Sequence, residues 1–204
     1  MEIMEGAEAK VYRERLLGID AVVKDRVRKA YRNEELDREI REERTKKEAR
    51  IMALASRGGA AVPMLLMVRG NAIVMTYIKG ELLSSMLSSA HRRNLGDIFV
   101  QAGGLLAKLH SLGINHGDYT PANLLVDGSG VVWAIDFGLS DTGNSDEEFA
   151  LDLLLMKRSV KKREYVQFLN QYVEKSGSSG SAVIKRLKEI EMRGRYQSRS
   201  LLTA

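Results

Sequence analysis

At 204 residues and 22.8 kDa, with 44% hydrophobic residues, the chain can bury one or two modest cores and is short for a two-lobed enzyme. No apolar run approaches the roughly 20 residues that cross a bilayer, the acid-bearing opening MEIMEGAEAK does not read as a secretory leader, and zero cysteines exclude disulfides and thiolate metal sites, so a cytoplasmic protein without a membrane role is expected. The net charge of +5 is unevenly spread: from Lys185 onward six cations (Lys185, Arg186, Lys188, Arg193, Arg195, Arg199) face two acids (Glu189, Glu191), which puts the basic excess in the tail.

In chain order, residues 9–17 and 19–27 read as strands joined at Gly18. Residues 31–56, dense in Arg, Lys and Glu and free of Gly and Pro, predict a long helix closed by Gly58 and Gly59, with Leu36, Ile40, Met52 and Ala55 as its inward stripe. From Pro63, VPMLLMV, the turn RGN and AIVMTYI form a hairpin that completes an N-terminal antiparallel sheet, and Gly80 ends that lobe. Apolar residues at helical spacing from Ile98 to Leu112 predict a second helix over 97–113, whose His110 reads as a core histidine rather than a base. Leu124 to Val126 and Val131 to Ile135 fold back on each other about DGSG. Residues 146–160 and 161–175 read as helices, and SGSSGS at 176–181 as a flexible interruption before a helix at 182–192. The expected class is α+β: a lobe over 1–79, a mainly helical lobe over 80–192 and a basic tail over 193–204.

The densest signal is NHGDYTPANLLVDGSGVVWAIDFGLS, from Asn115 to Ser140. An Asp followed five positions later by Asn, and then a DFG Asp, is the kinase arrangement for metal-bound ATP. Asp118 would accept or orient the attacking hydroxyl or water, while Asn123 and Asp136 offer oxygens to magnesium, which binds through one or two carboxylates plus substrate phosphates. The hairpin between them brings Asp136 back toward Asn123. Any one of these residues alone would read as a loop cap or turn residue; the joint pattern is the signal. Lys24, in the strand AVVK, stands where a kinase carries its phosphate-pairing lysine, with Glu48 the preferred partner on the long helix and Glu39 an alternative. EGAEAKV (5–11) takes the place of a phosphate-covering loop with one glycine, Gly6, where the full motif has three. Backbone groups of Thr76 and Ile78, just before Gly80, are positioned to meet an adenine edge.

These residues make the chain resemble a protein-kinase-like fold of reduced size. It is similar over essentially its whole length to the small atypical serine/threonine kinase family of the KEOPS complex, the PRPK-like family. GAEA, VVK, RTKKEAR, HGDYTPANLL, IDFGLS, ALDL at 150–153 and the terminal RGRYQSRS carry the resemblance, in that order. It implies a protein that uses ATP and Mg2+ as ATPase and autokinase beside a metal-dependent tRNA-modifying subunit and a further small regulatory subunit. The implied process is threonylcarbamoyl transfer to adenosine in tRNA. The tail, with Arg193, Arg195 and Arg199 around Tyr196, then becomes the candidate contact for tRNA or for the partner subunit's cleft.

Departures from ordinary protein kinases carry a separate expectation. HGD lacks the arginine that pairs with a phosphorylated activation loop, and Thr120 replaces a lysine near the transferred phosphate. Few residues separate DFG from the helix at 146 and APE is missing, so peptides should be poor substrates. Asp152 is expected to tether the catalytic-loop backbone. The alternatives are a small-molecule phosphotransferase of the aminoglycoside or choline kinase type, and a non-catalytic scaffold, against which the retention of Lys24, Asp118, Asn123 and Asp136 together argues.

Overall fold

In a computed structural model of the chain, residues 3–5, 9–89 and 95–200 are described, with side chains described over 9–89 and 95–193. The first unit is built on β1 (Ile3–Glu5), β2 (Ala9–Leu16), β3 (Ile19–Arg26), helix α1 (Glu34–Arg57), β4 (Leu65–Arg69) and β5 (Ala72–Thr76). Its antiparallel sheet runs β1-β2-β3-β5-β4. Leu17 and Gly18, with φ of 50° and 85°, make the tight two-residue turn between β2 and β3. Alternation along β5 sends Ile73 to the main core under α1, and Ala72 and Val74 to a small cluster with Ala21 and Val23 on the opposite face.

Asn33 starts α1 by accepting from the Glu35 and Leu36 amides, and Gly58 with the left-handed Gly59 ends it. The inward stripe differs from expectation in its first half. Leu36 is exposed and Ile40 half-buried, while Asp37, Thr45 and Glu48 are buried with Ala49, Ile51, Met52 and Ala55. The reason is local chemistry. This half of α1 lies against backbone at the end of β3 and the β4–β5 turn, where Arg41 donates to the Arg26 carbonyl and Thr45 to the Asn71 carbonyl. Polar side chains serve those carbonyls; a leucine cannot.

The second unit continues with β6 (Gly80–Leu82), α2 (Leu83–Ser88), α3 (Gly96–Ser111), β7 (Ile114–Asn115), a 3-10 turn (Pro121–Asn123), β8 (Leu124–Asp127), β9 (Val132–Ala134), β10 (Asp141–Thr142), α4 (Asp146–Ser159) and α5 (Lys162–Ser200). One small sheet has the order β6-β8-β9 and another pairs β10 with β7. Gly80 pairs with Asp127, so it already belongs to the second unit's sheet, and a Cβ on it would stand 2.3 Å from the Val126 carbonyl oxygen. Phe99, Leu106 and Leu109 of α3 join Phe168 and Tyr172 of α5 in the core. The two helices meet so closely that a Cβ at Gly103 would stand 2.1 Å from the Phe168 carbonyl oxygen.

The interruption expected at SGSSGS is present but confined to one residue: two helical segments of α5 meet across a kink at Gly177 (φ 57°, ψ −133°), and the second runs on to Ser200. Glycine absorbs the kink at one position, and α5 resumes with Val183 and Leu187 buried in the core. Among the described residues no helix is long and apolar enough to cross a membrane.

Candidate active site

Three parts of the chain converge on Lys24: β3, which carries it, α1, and the segment that follows β9. Lys24 on β3 is buried, and its ammonium lies 2.7 Å from Glu48 Oε1 on α1 and 2.6 Å from Asp136 Oδ1. Of the two acids that the sequence left open as its partner, Glu48 is 1% exposed, whereas Glu39 lies on the exposed face of α1. Asp136 has left-handed backbone (φ 61°), and its Oδ1 also accepts from the Gly138 amide at 3.1 Å. Burial alone would raise the Asp136 carboxyl. The Lys24 ammonium and the Gly138 amide outweigh it, and the group is held below the ordinary carboxylate value.

The loop carrying Asp118 is fixed from behind. Asp152 on α4, fully buried, accepts from the His116 amide at 2.7 Å and the Gly117 amide at 2.8 Å. The tether expected at ALDL is therefore present. Asp118 Oδ2 accepts from Asn123 Nδ2 at 2.7 Å, and the same nitrogen also reaches the Asp118 carbonyl at 2.9 Å. With the amide nitrogen committed, Asn123 Oδ1 is the atom left for a cation. The Ile135 amide donates to the Asn123 carbonyl at 3.0 Å, which lays the residue before Asp136 alongside Asn123.

Gly117 does more than omit an arginine. It has φ of 79°, and a Cβ there would stand 2.4 Å from the Leu139 carbonyl oxygen. The chain after DFG is thus pressed onto the catalytic loop. Asp141 and Thr142 pair with Asn115 and Ile114, and Gly143 donates to the Gly113 carbonyl at 2.8 Å. Lys47 of α1 reaches Asp141 at 2.7 Å, closing the strap from the other side.

Two buried histidines support this frame. Asp152 can only accept, so the neutral His110 carries its proton on Nε2 (3.2 Å) and takes the Tyr172 hydroxyl proton at Nδ1 (2.8 Å). His110 is thus a core histidine, stacked on Phe149. His116 accepts from the Asp118 amide at Nδ1 and donates from Nε2 to the Ile135 carbonyl. Burial pushes both imidazoles below 6.5 despite their acidic neighbours. The unfolded chain therefore takes up protons first. The stability that these neutral rings contribute is full above about pH 6.5 and is lost as the pH falls from there toward the depressed native values. Thermal unfolding scanned from about pH 8 to about pH 5 should show a falling Tm below about 6.5, and a flat profile would contradict the neutral assignment.

Other expected site residues fare differently. Thr76 donates its amide to the Met64 carbonyl at 2.9 Å, so that amide cannot serve an adenine. The cause is the β4–β5 hairpin, which extends its bonding to the last residue of β5. Ile78 lies outside the strand. Gly6 lies outside the described residues, as do the side chains of Arg195, Tyr196 and Arg199. Arg193 sits 3.6 Å from Glu147 on α4, and Arg186 is paired with Glu147 and Glu189. Arg26 was not singled out from sequence, yet it lies 2.5 Å from Glu48 Oε2. Its signal was its place two residues after Lys24 on one strand face.

The donor set suits magnesium brought with phosphates. It offers the Asp136 carboxylate, half-exposed, and the Asn123 carboxamide. Among the described residues no group of three or more His, Cys, Asp and Glu side chains is arranged to hold a metal ion. These donors would need phosphate and water oxygens to complete an octahedron.

A RIO domain family model matches residues 5–178. The chain is 36% identical to the KEOPS complex subunit Bud32 of Pyrococcus abyssi, over 98% of each chain. It is 39% identical, also over 98% of each, to a probable serine/threonine-protein kinase BUD32 homolog of Archaeoglobus fulgidus. It is 34% identical to a probable bifunctional tRNA threonylcarbamoyladenosine biosynthesis protein of Methanobrevibacter smithii, matching 95% of this chain and 36% of that one. In fold it is similar to the Rio2 kinase of Chaetomium thermophilum, crystallised with ADP, Mg2+ and phosphoaspartate, with TM-score 0.62, 18% identity, and 97% and 70% of the two chains covered.

Proposed function

The chain belongs to the RIO-domain family, among the relatives of the KEOPS subunit Bud32, and from that membership we propose that it is an atypical serine/threonine kinase and ATPase of a KEOPS complex. Its activity serves threonylcarbamoyladenosine formation in tRNA. The observation that carries the enzymatic half is Lys24 between Glu48 and Asp136 at 2.7 and 2.6 Å, facing a loop in which Asp118 and Asn123 are bonded at 2.7 Å.

Each side chain then has a task. Lys24 would pair with nucleotide phosphates while Glu48 holds its ammonium at 2.7 Å. Asp136 and Asn123 would hold a magnesium ion, which would offset charge on the phosphates. Asp118, oriented by Asn123, receives the proton of the attacking hydroxyl or water. The Thr76 carbonyl and the Ile78 amide would meet the adenine edge. The post-DFG strap leaves no peptide platform, so water or a residue of the protein itself is a better acceptor than a foreign peptide. Partners are the metal-dependent tRNA-modifying subunit and a small regulatory subunit, with tRNA reached through the basic end of α5.

The test is turnover of Mg-ATP by the chain purified alone, with its co-purifying subunits, and with tRNA added. Turnover should require magnesium, rise in the assembly and be lost in Asp118→Asn. Rapid stoichiometric phosphorylation of a soluble alcohol without protein or RNA would favour a small-molecule phosphotransferase instead. Turnover indifferent to chelator and to Asp118→Asn would contradict the reading.

A further inference from the structure

Arg26 has no place in the kinase signature, yet it is 6% exposed beside the carboxylate that the signature uses. Residues two apart on a strand project from one face, so Arg26 follows Lys24 toward α1. Glu48 divides its oxygens between them: Oε1 meets Lys24 at 2.7 Å and Oε2 meets Arg26 Nη2 at 2.5 Å. On the other side, Arg26 Nη2 and Lys24 Nζ both lie 3.5 Å from the point where a Cβ on Gly138 would stand, with Asp136 Oδ1 at 3.1 Å from it. Two cations and two carboxylates thus share one cluster at DFG. The Arg26 backbone is fixed as well, its amide on the Asn71 carbonyl at 3.2 Å.

We propose that Arg26 is a positioning residue for the nucleotide phosphates: by holding one oxygen of Glu48 it keeps that carboxylate in place, and it lets the Lys24 ammonium turn from Asp136 to a phosphate without unpairing a buried charge. This rests on the reading of Lys24 and Asp136 as the phosphate- and magnesium-facing groups. In a plain Lys–Glu pair a single ammonium must satisfy a buried carboxylate and a phosphate together, and a buried carboxylate stripped of its partner is strongly unfavourable. Here the guanidinium carries the standing half of that task. Arginine suits it, being planar, permanently charged and weakly hydrated. Without Arg26, Glu48 Oε2 loses its partner and draws Lys24 away from the phosphates.

The test compares Arg26→Gln, Glu48→Gln and the double variant with the parent, in whichever assembly the parent turns over Mg-ATP, with thermal unfolding run alongside. Arg26→Gln should raise KM for Mg-ATP about tenfold while changing kcat less than about threefold. In the Glu48→Gln background, where no buried carboxylate remains to be held, the same change should add less than about twofold. Arg26→Lys should bring KM back to within about threefold of the parent. If Arg26→Gln does not fold, Arg26→Lys carries the comparison, its smaller rise in KM vanishing in the Glu48→Gln background. An unchanged KM in Arg26→Gln, or an effect equally large with and without Glu48, would overturn the proposal. Parent turnover that survives Asp136→Ala would overturn the nucleotide-site reading instead, so the two failures are distinguishable.

Discussion

Asp136→Ala is expected to lower Mg-ATP turnover by about 10³-fold or more, because catalysis of phosphoryl transfer consists almost entirely of positioning and charge stabilisation. Asp136 is the carboxylate that faces Lys24 from the second unit, at 2.6 Å, and its side chain is half-exposed and accessible to a cation. The fold should survive the change. Lys24 keeps Glu48, and Glu48 keeps Arg26, so no buried charge loses its last partner. Turnover within about twofold of the parent, measured on protein with unchanged Tm, would remove Asp136 from the mechanism.

Gly117→Arg, which restores the arginine of ordinary protein kinases, is expected to damage the protein rather than to equip it for phospho-switching. Any Cβ at 117 meets the Leu139 carbonyl oxygen at 2.4 Å, on backbone with φ of 79° that side chains rarely adopt. Strain of about 1–3 kcal/mol from the backbone and a similar amount from overpacking add to about 2–6 kcal/mol. In a chain of this size, at about 2–4 °C per kcal/mol, that lowers Tm by about 4–24 °C. The displaced segment holds Asp136 three residues from the collision, so turnover should fall by about 10²-fold or more. Gly117→Ala separates the steric cause from the charge and should show most of the loss of Tm. A Gly117→Arg protein with parental Tm and turnover would contradict the strap between Leu139 and the catalytic loop.

Much of the site was legible because its chemistry is written locally. Asp118 and Asn123 share one loop, and the turn DGSG lets the hairpin return, so five- and eighteen-residue spacings become a bonded pair and an adjacent strand. Lys24 and Glu48 are harder to pair from sequence, since they lie on separate elements; apolar neighbours favour Glu48, and Glu39 stays open until the burial of Glu48 is seen. Arg26 is missed because a charged residue at the end of a strand reads as a solvated terminus, although its place two residues after Lys24 puts it on the same strand face.

The errors have physical causes of the same kind. Helical periodicity places Leu36 inward, but it cannot report that the facing surface is backbone carbonyl rather than side chain. Sequence leaves both the amide and the carbonyl of Thr76 open to a ligand, because it does not fix where a hairpin's hydrogen bonds stop; the amide is taken by Met64. The Ser- and Gly-rich stretch at 176–181 does break the helix, but only at Gly177, because its flanks pack against α3 and α4 and hold the rest of it in helical geometry. In each case tertiary contact outweighed a local preference.

Equilibrium titration of the purified chain with ATP, with magnesium and with chelator in its place, on the parent and on Asp136→Ala, tests the central claim most directly. The parent should bind at least about tenfold more tightly with magnesium than without, and Asp136→Ala should lose most of that difference while still binding nucleotide through Lys24 and the hinge. Equal affinity in all four combinations would mean that Lys24, Asn123 and Asp136 do not grip a metal-bound triphosphate.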